Sequence, residues 1–333
     1  MWRCVGYEPS TTPLTGVVFY CMMTLYKSKR PMLLKYIPLL SLPLFLISCG
    51  NDVEYEKYKI DESNTVLDCK GKKLNKGKPT EVIIKSPEGK QITNITIKNC
   101  HITGSIRTIG LGRNGESKGV KKSSHKDGHT ERAQDAAPTD VTLDNLTITG
   151  VGRIPIYLGP GTTDVEIKNT HIKGETNSTV IYLDAESADN YIHHNKFDVK
   201  GNWTARQFRV REVIAVDGSA NNIISNNEFE NVPGGGIYLY RNCGEGGTVR
   251  HQKPKNNYIV DNEFDLGNLS LGNYGIFLGA REGKRFYCDE DKGYPYGSSV
   301  SDLDHANGNI LKDNKFSGSD REIKDRGKNN VID

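Results

Sequence analysis

Two short apolar segments of this chain end on the same residue type: VIYLD closes at Asp184 and VIAVD at Asp217. If they are neighbouring strands, the two carboxylates lie about 4.8 Å apart. Carboxylates that close repel, and the repulsion is relieved by a bound cation, by a nearby arginine, or by keeping one acid protonated. Each remedy suits chemistry on sugars. One protonated and one ionised acid could cleave a glycosidic bond, and a separation near the strand spacing favours retention. A Ca²⁺ held by Asp184 and Asp217, with Glu186 and Glu212 as natural additions, would instead neutralise a uronate carboxylate and acidify its C5 proton. The base would then come from Tyr240, Arg241, His251 or Lys253.

Other residues nearby suit binding. Arg211, Arg250 and Arg281 fall in polar loops and could hold carboxylates in a bidentate fashion. Tyr182, Tyr238 and Tyr240 form an outward aromatic stripe of the kind that stacks on sugar faces. Structural roles compete with each of these. The aspartates could cap turns, Glu212 could simply pair with Arg211, and the tyrosines could pack beneath long loops. Geometry separates the cases: an enzyme brings Asp184, Asp217 and Arg241 together in an open cleft, whereas a binding or structural protein scatters or buries them.

What must position these residues is a repeat. Seven copies of a repeat unit carry an Asn five residues after an Asn or Asp, among them DVTLDNLTITG from Asp140, DVEIKNTHIKG from Asp164 and the pairs Asn222/Asn227 and Asn257/Asn262. Recurrence on this scale marks stacked supersecondary units. Asn tolerates the left-handed backbone of a sharp bend. Stacked coils would therefore align these residues in an asparagine ladder. In the first three copies the flanking apolar residues sit one step out of phase with the later four, which predicts a change of bend geometry along the chain. A second strand completes each unit, as in PIYLG, VIYLD, VIAVD, GIYLY and GIFLG, with Ile and Leu two apart turned inward. With 35 glycines and 35% hydrophobic residues, the composition fits a turn-rich β protein better than a helical bundle.

From about Thr65 to the end, through units such as NNIISNNEF and NNYIVDNEF, the chain resembles the right-handed parallel β-helix proteins of the pectate-lyase-like superfamily. That resemblance implies an all-β fold, a single right-handed parallel β-helix with long loops beside one groove. It leaves the activity open, because the superfamily includes polysaccharide lyases, glycoside hydrolases, uronate epimerases and non-enzymatic surface proteins. The basic loops favour cleavage of an acidic polysaccharide by a lyase, with hydrolysis or epimerisation next and a binding or structural surface protein as the rival class. A metal-maturation accessory role finds no supporting ligand spacing.

The expected organisation is an upstream segment and signal peptide over residues 1–48, a tether over 49–64 and the β-helix over 65–333. Basic residues precede MLLKYIPLLSLPLFLISCG, which ends like a bacterial lipobox, so Cys49 is the expected lipidation site. A lipid anchor there places the protein in the bacterial cell envelope. The four cysteines that follow favour two disulfides. Of three possible pairings, Cys69 with Cys100 and Cys243 with Cys288 is expected. No P-loop spacing, zinc spacing or Gly-x-Ser-x-Gly elbow is present. Nucleic acid is not an expected partner of a lipidated exported protein.

Overall fold

The computed structural model describes residues 53–333 apart from 115, 202–209, 280–287 and 297–303. The expectations for Cys49, the signal segment and Arg281 lie outside the described residues. Among the described residues, twenty-three strands, most of them short, pair in parallel, each with the strand one coil away, and wind into a coil with three faces. The first face includes Thr163–Lys168, Tyr191–His193, Ile223–Ser225 and Tyr258–Val260. The second includes His171–Thr176, Lys196–Gly201, Glu228–Glu230 and Glu263–Asp265. The third runs through Ile156–Leu158, Ile181–Leu183, Ile214–Asp217, Ile237–Tyr240 and Ile276–Leu278. Strand Glu56–Ile60 pairs with Thr80–Lys85 on the third face, so the expected tether over 49–64 runs into the first coil.

Alternation within each strand fills the interior. Ile192, Ile224 and Ile259 stack on the first face, and Ile181, Ile214 and Ile237 on the third, all fully buried. On the second face Phe197, Phe229, Phe264 and Phe316 stack with ring centroids 4.4 to 5.0 Å apart. Burying each such side chain contributes about 2 kcal/mol, and the same gain recurs in every coil.

The asparagines occupy two kinds of position, the bend and the buried interior. In the early copies Asn99, Asn145 and Asn169 occupy the bend itself, with positive φ and their side chains at the surface. In the later coils that bend position is taken by His194, Asn226, Asp261 and Asp313, again with positive φ. The repeated Asn has moved one residue inward. Asn195, Asn227, Asn262 and Asn314 join side chain to side chain at 2.9 to 3.0 Å, and Asn190, Asn222, Asn257 and Asn309 do so at 2.7 to 2.9 Å. The buried ladder ends on Thr170, whose backbone N–H donates to Asn195 Oδ1 at 3.0 Å. The predicted change of bend geometry therefore does not occur: the left-handed bend holds its register, and only the position of the Asn shifts.

The polar segment between strands Ile95–Ile109 and Thr139–Asp144 contains two short helices, α1 (Lys118–Ser124) and α2 (His129–Ala136). Ser117 caps α1, its side chain accepting from the Val120 N–H. Helix α2 lies close against the turn after Ile156–Leu158. A Cβ at Gly161, where φ is +80°, would stand 2.1 Å from the Ala133 carbonyl oxygen, so this approach requires glycine.

Candidate functional site

The third face turns Tyr157, Tyr182, Ala215, Tyr238 and Phe277 outward on consecutive rungs. One step further along, Asp217 is paired with Tyr240, and Asp184 follows Leu183, the partner of Val216. The expected alignment of the two aspartates is therefore present, but the expected open cleft is not. Asp184 is 3% exposed, Asp217 and Arg241 are 0%, Tyr240 is 3% and Arg250 is 3%. The cause is the long loops, which fold over this face instead of rising beside it. Ser124 Oγ accepts from the Val249 N–H at 3.0 Å, His125 Nε2 meets the Gly247 carbonyl at 2.8 Å, and a disulfide ties Cys243 to Cys288. Both disulfides follow the expected pairing, Cys69 to Cys100 with Cα atoms 4.8 Å apart.

Of the three remedies for the acid pair, the fold uses arginine. Arg250 Nη2 stands 3.7 Å from Asp184 Oδ1 and 3.7 Å from Asp217 Oδ2. The remaining carboxylate positions are also occupied. Asp184 accepts from Tyr157 Oη, from Asn114 Nδ2 at 2.8 Å and from its neighbour Ala185 N–H at 2.8 Å. Asp217 accepts from Tyr182 Oη at 2.5 Å, Asn242 Nδ2 at 2.6 Å and the Asn242 backbone at 2.7 Å. Burial pushes the Asp184 carboxyl above its ordinary range, and Arg250 opposes that shift. Burial, then the adjacent carboxylate, hold both the Tyr157 and Tyr182 phenols well above their usual value, so they stay neutral donors.

This donor set does not fit calcium. A cation already lies between the aspartates. Glu186, buried, accepts from Thr130 Oγ1 at 2.5 Å and from the His251 and Gln252 N–H groups at 2.7 and 3.0 Å. Among the described residues no three His, Cys, Asp or Glu are placed to hold a metal ion.

The other proposed catalytic residues have structural partners. Arg241 donates to the Arg250, His251 and Tyr296 carbonyls at 2.9, 3.2 and 3.3 Å, binding the loops to one another, and burial lowers its pKa to about 10. His251 is half-buried, stacked on Tyr296 at 3.7 Å with Nε2 against the Ser124 carbonyl. Tyr240 Oη donates to Glu212 Oε1 at 2.8 Å and accepts from Arg211 at 2.9 Å. Burial raises Glu212, but the Arg211 charge together with the hydrogen bonds from its own backbone N–H, Arg211 and Tyr240 holds the carboxyl low. Tyr238 Oη accepts from the Tyr274 N–H at 3.0 Å beneath the neighbouring loop.

Among the described residues, the side of this face that carries Arg107 and Arg113 is partly open to solvent. Tyr182 is partly exposed. Arg113, with 46% of its side chain exposed, and Arg107 both lie over the Tyr157 ring, 5.5 and 5.6 Å from its centroid. Glu81, almost buried, is 2.6 Å from Arg107 Nε and 3.0 Å from Arg153 Nη1. Burial lowers the pKa of Arg107 against the opposing pull of Glu81, and the charges of Arg113 and Arg153 add smaller reductions. Sequence reasoning did not single out Arg107, Arg113, Arg153, Asn114 or Tyr157. Only Tyr157 carried a usable signal, because it occupies in PIYLG the place that Tyr182 has in VIYLD.

With three faces of parallel rungs and an inward apolar stack in place, the family match is decisive. Residues 89–288 match the right handed beta helix region. The chain belongs to that family. This β-helix protein is similar, among solved structures, to an alginate lyase from Paenibacillus sp. str. FPU-7, with 11% identity over 82% of this chain and 89% of that one at a TM-score of 0.41. It is also similar to the A-module of a mannuronan C-5 epimerase from Azotobacter vinelandii, with 10% identity over 84% and 89% at a TM-score of 0.29. At scores this low neither carries weight for function. Among curated proteins none matches the chain.

Proposed function

We propose that this β-helix protein binds an acidic polysaccharide across the outward side of its third face. The observation that carries this reading is the charge beside Tyr157: Arg107 and Arg113 lie over its ring, and Arg107 shares the buried carboxylate of Glu81 with Arg153. The further pairing of Arg113 with the exposed Glu116 is screened by water and weak. A uronate carboxylate would give these arginines a further partner, and Tyr182 beside it offers a ring to stack on a sugar. The buried Asp184–Arg250–Asp217 cluster then serves to hold the two tyrosines from beneath.

Cleavage by β-elimination is the second reading, favoured by one observation. Tyr182 has a partly exposed ring and a hydroxyl 2.5 Å from Asp217. In an elimination its oxygen would take the C5 proton as its own proton passes to Asp217, the C5–H electrons would form the C4–C5 double bond, and the C4–O bond would break with the departing oxygen taking a proton back from Tyr182. The raised phenol pKa and the filled hydrogen bonds of Asp217 weigh against that step, so binding leads.

Affinity electrophoresis of the purified protein in alginate, polygalacturonate and a neutral glucan, with absorbance followed at 235 nm, separates these readings. Retention by the acidic polymers, weakened by salt and by Arg113→Ala, is expected without a rise at 235 nm. Equal retention by the neutral glucan would sink the acidic reading, and new absorbance at 235 nm would put elimination first. The location in the cell envelope, through a lipid on Cys49, is part of this proposal. It predicts fatty-acid labelling in cells that disappears in Cys49→Ser.

A further inference from the structure

We infer that the buried floor beside Arg113 is a subsite for sugar hydroxyls, built on Asp184 by Asn114 and Arg250; the inference rests on the polysaccharide reading above. Asn114 and Arg250 are 8% and 3% exposed and meet at one atom, Asp184 Oδ1, at 2.8 and 3.7 Å. Among the described residues, each keeps polar atoms without a partner: Oδ1 of Asn114, and Nε and Nη1 of Arg250. Buried donors and acceptors left unmatched are costly and call for a partner.

The chemistry of that partner follows from the signs. An anion would satisfy Arg250 and leave the Asn114 oxygen facing like charge. A cation would satisfy Asn114 and oppose Arg250. A hydroxyl does both, since it accepts from a guanidinium N–H and donates to an amide oxygen. Turning the Asn114 amide over does not remove the need, because its oxygen would then point at the Asp184 carboxylate. Asn114 directly follows Arg113, whose exposed guanidinium covers Tyr157, so the floor lies next to the charge that would hold a uronate carboxylate. The subsite therefore recognises a uronate residue with free ring hydroxyls beside its carboxylate, and O-acetylation would exclude it.

The test is binding of the intact protein to one polyuronate in its O-acetylated form and after chemical deacetylation. The deacetylated polymer should bind about tenfold more tightly, the worth of one or two hydrogen bonds to these groups. Asn114→Ala, checked for folding by thermal melting, should bring that preference close to one. Equal binding of both polymers to the unaltered protein would overturn the subsite alone, as would a preference that survives in a folded Asn114→Ala variant, and a buried water would then be the partner. Binding of neither polymer would overturn the subsite together with the reading it rests on. The comparison on the unaltered protein decides the question even if the variant does not fold.

Discussion

Replacing Arg250 by Met tests how this fold tolerates two buried acids on adjacent rungs. The guanidinium is 3% exposed and 3.7 Å from each carboxylate, which puts the two acids no more than about 7 Å apart. Without it, two like charges at that distance repel by roughly 2 kcal/mol at an effective dielectric of about 20, and both acids lose their attraction to a cation. Removing one partner from a buried charge cluster costs about 3 to 5 kcal/mol, and Arg250→Met should fall in that range in urea unfolding at pH 7. Adding Asp184→Asn removes the repulsion and should restore about 2 kcal/mol. The pH dependence has a definite sign. The Asp184 carboxyl is already raised by burial, and in the variant it is raised further. A raised acid contributes stability at low pH that is lost as pH rises, so the penalty of Arg250→Met should shrink between pH 7 and pH 5. A loss below about 1 kcal/mol at pH 7, with no rescue by Asp184→Asn, would refute the role given to Arg250.

Three further outcomes follow from the structure. Asn227→Ala removes the side chain that accepts from Asn195 and donates to the Ile192 carbonyl at 2.9 Å, and should cost about 3 kcal/mol, whereas Asn226→Ala at the exposed left-handed bend should cost about 1 kcal/mol. Equal losses in chemical denaturation would dissolve the distinction between the two kinds of position. His129 is fully buried, and burial lowers its pKa to about 3, so its contribution is complete above pH 6.5 and is lost as pH falls. At pH 5 the loss should be about 2 kcal/mol, measured as the part of the pH dependence that disappears in His129→Gln. Replacing Cys243 and Cys288 by Ser opens a cross-link between residues 45 apart and should cost about 4 kcal/mol, with faster amide exchange at residues 241–252 as the local signature.

The coil was legible because its causes are local and repeat. Isoleucines two apart specify which side of a strand turns inward, and bend residues every few positions specify where the chain turns. The cysteine pairs expected from the sequence both form, but the spacing alone left three pairings open. The one misreading within the coil, a changing bend, arose because two kinds of Asn share one spacing. Asn169 and Asn195 share the spacing but not the phase of their apolar neighbours, and that phase marks a bend residue from a buried ladder residue rather than a change of bend.

The residues by themselves determined the β-helix, the outward direction of Asp184 and Asp217, and the rule that something must offset their charges. They did not say what. That choice rested with segments distant in the chain: Asn114 and Arg250 reach the aspartates from loops whose course no periodic pattern encodes. Outward and exposed are equivalent on a bare β-helix, and the tertiary structure parts them by folding α1, α2 and the segment after Arg241 over the third face. Strand direction is a property of neighbouring residues. Burial of a charge depends on everything packed around it, and here that decided that the acids lie inside and the arginines beside Tyr157 stay within reach of solvent.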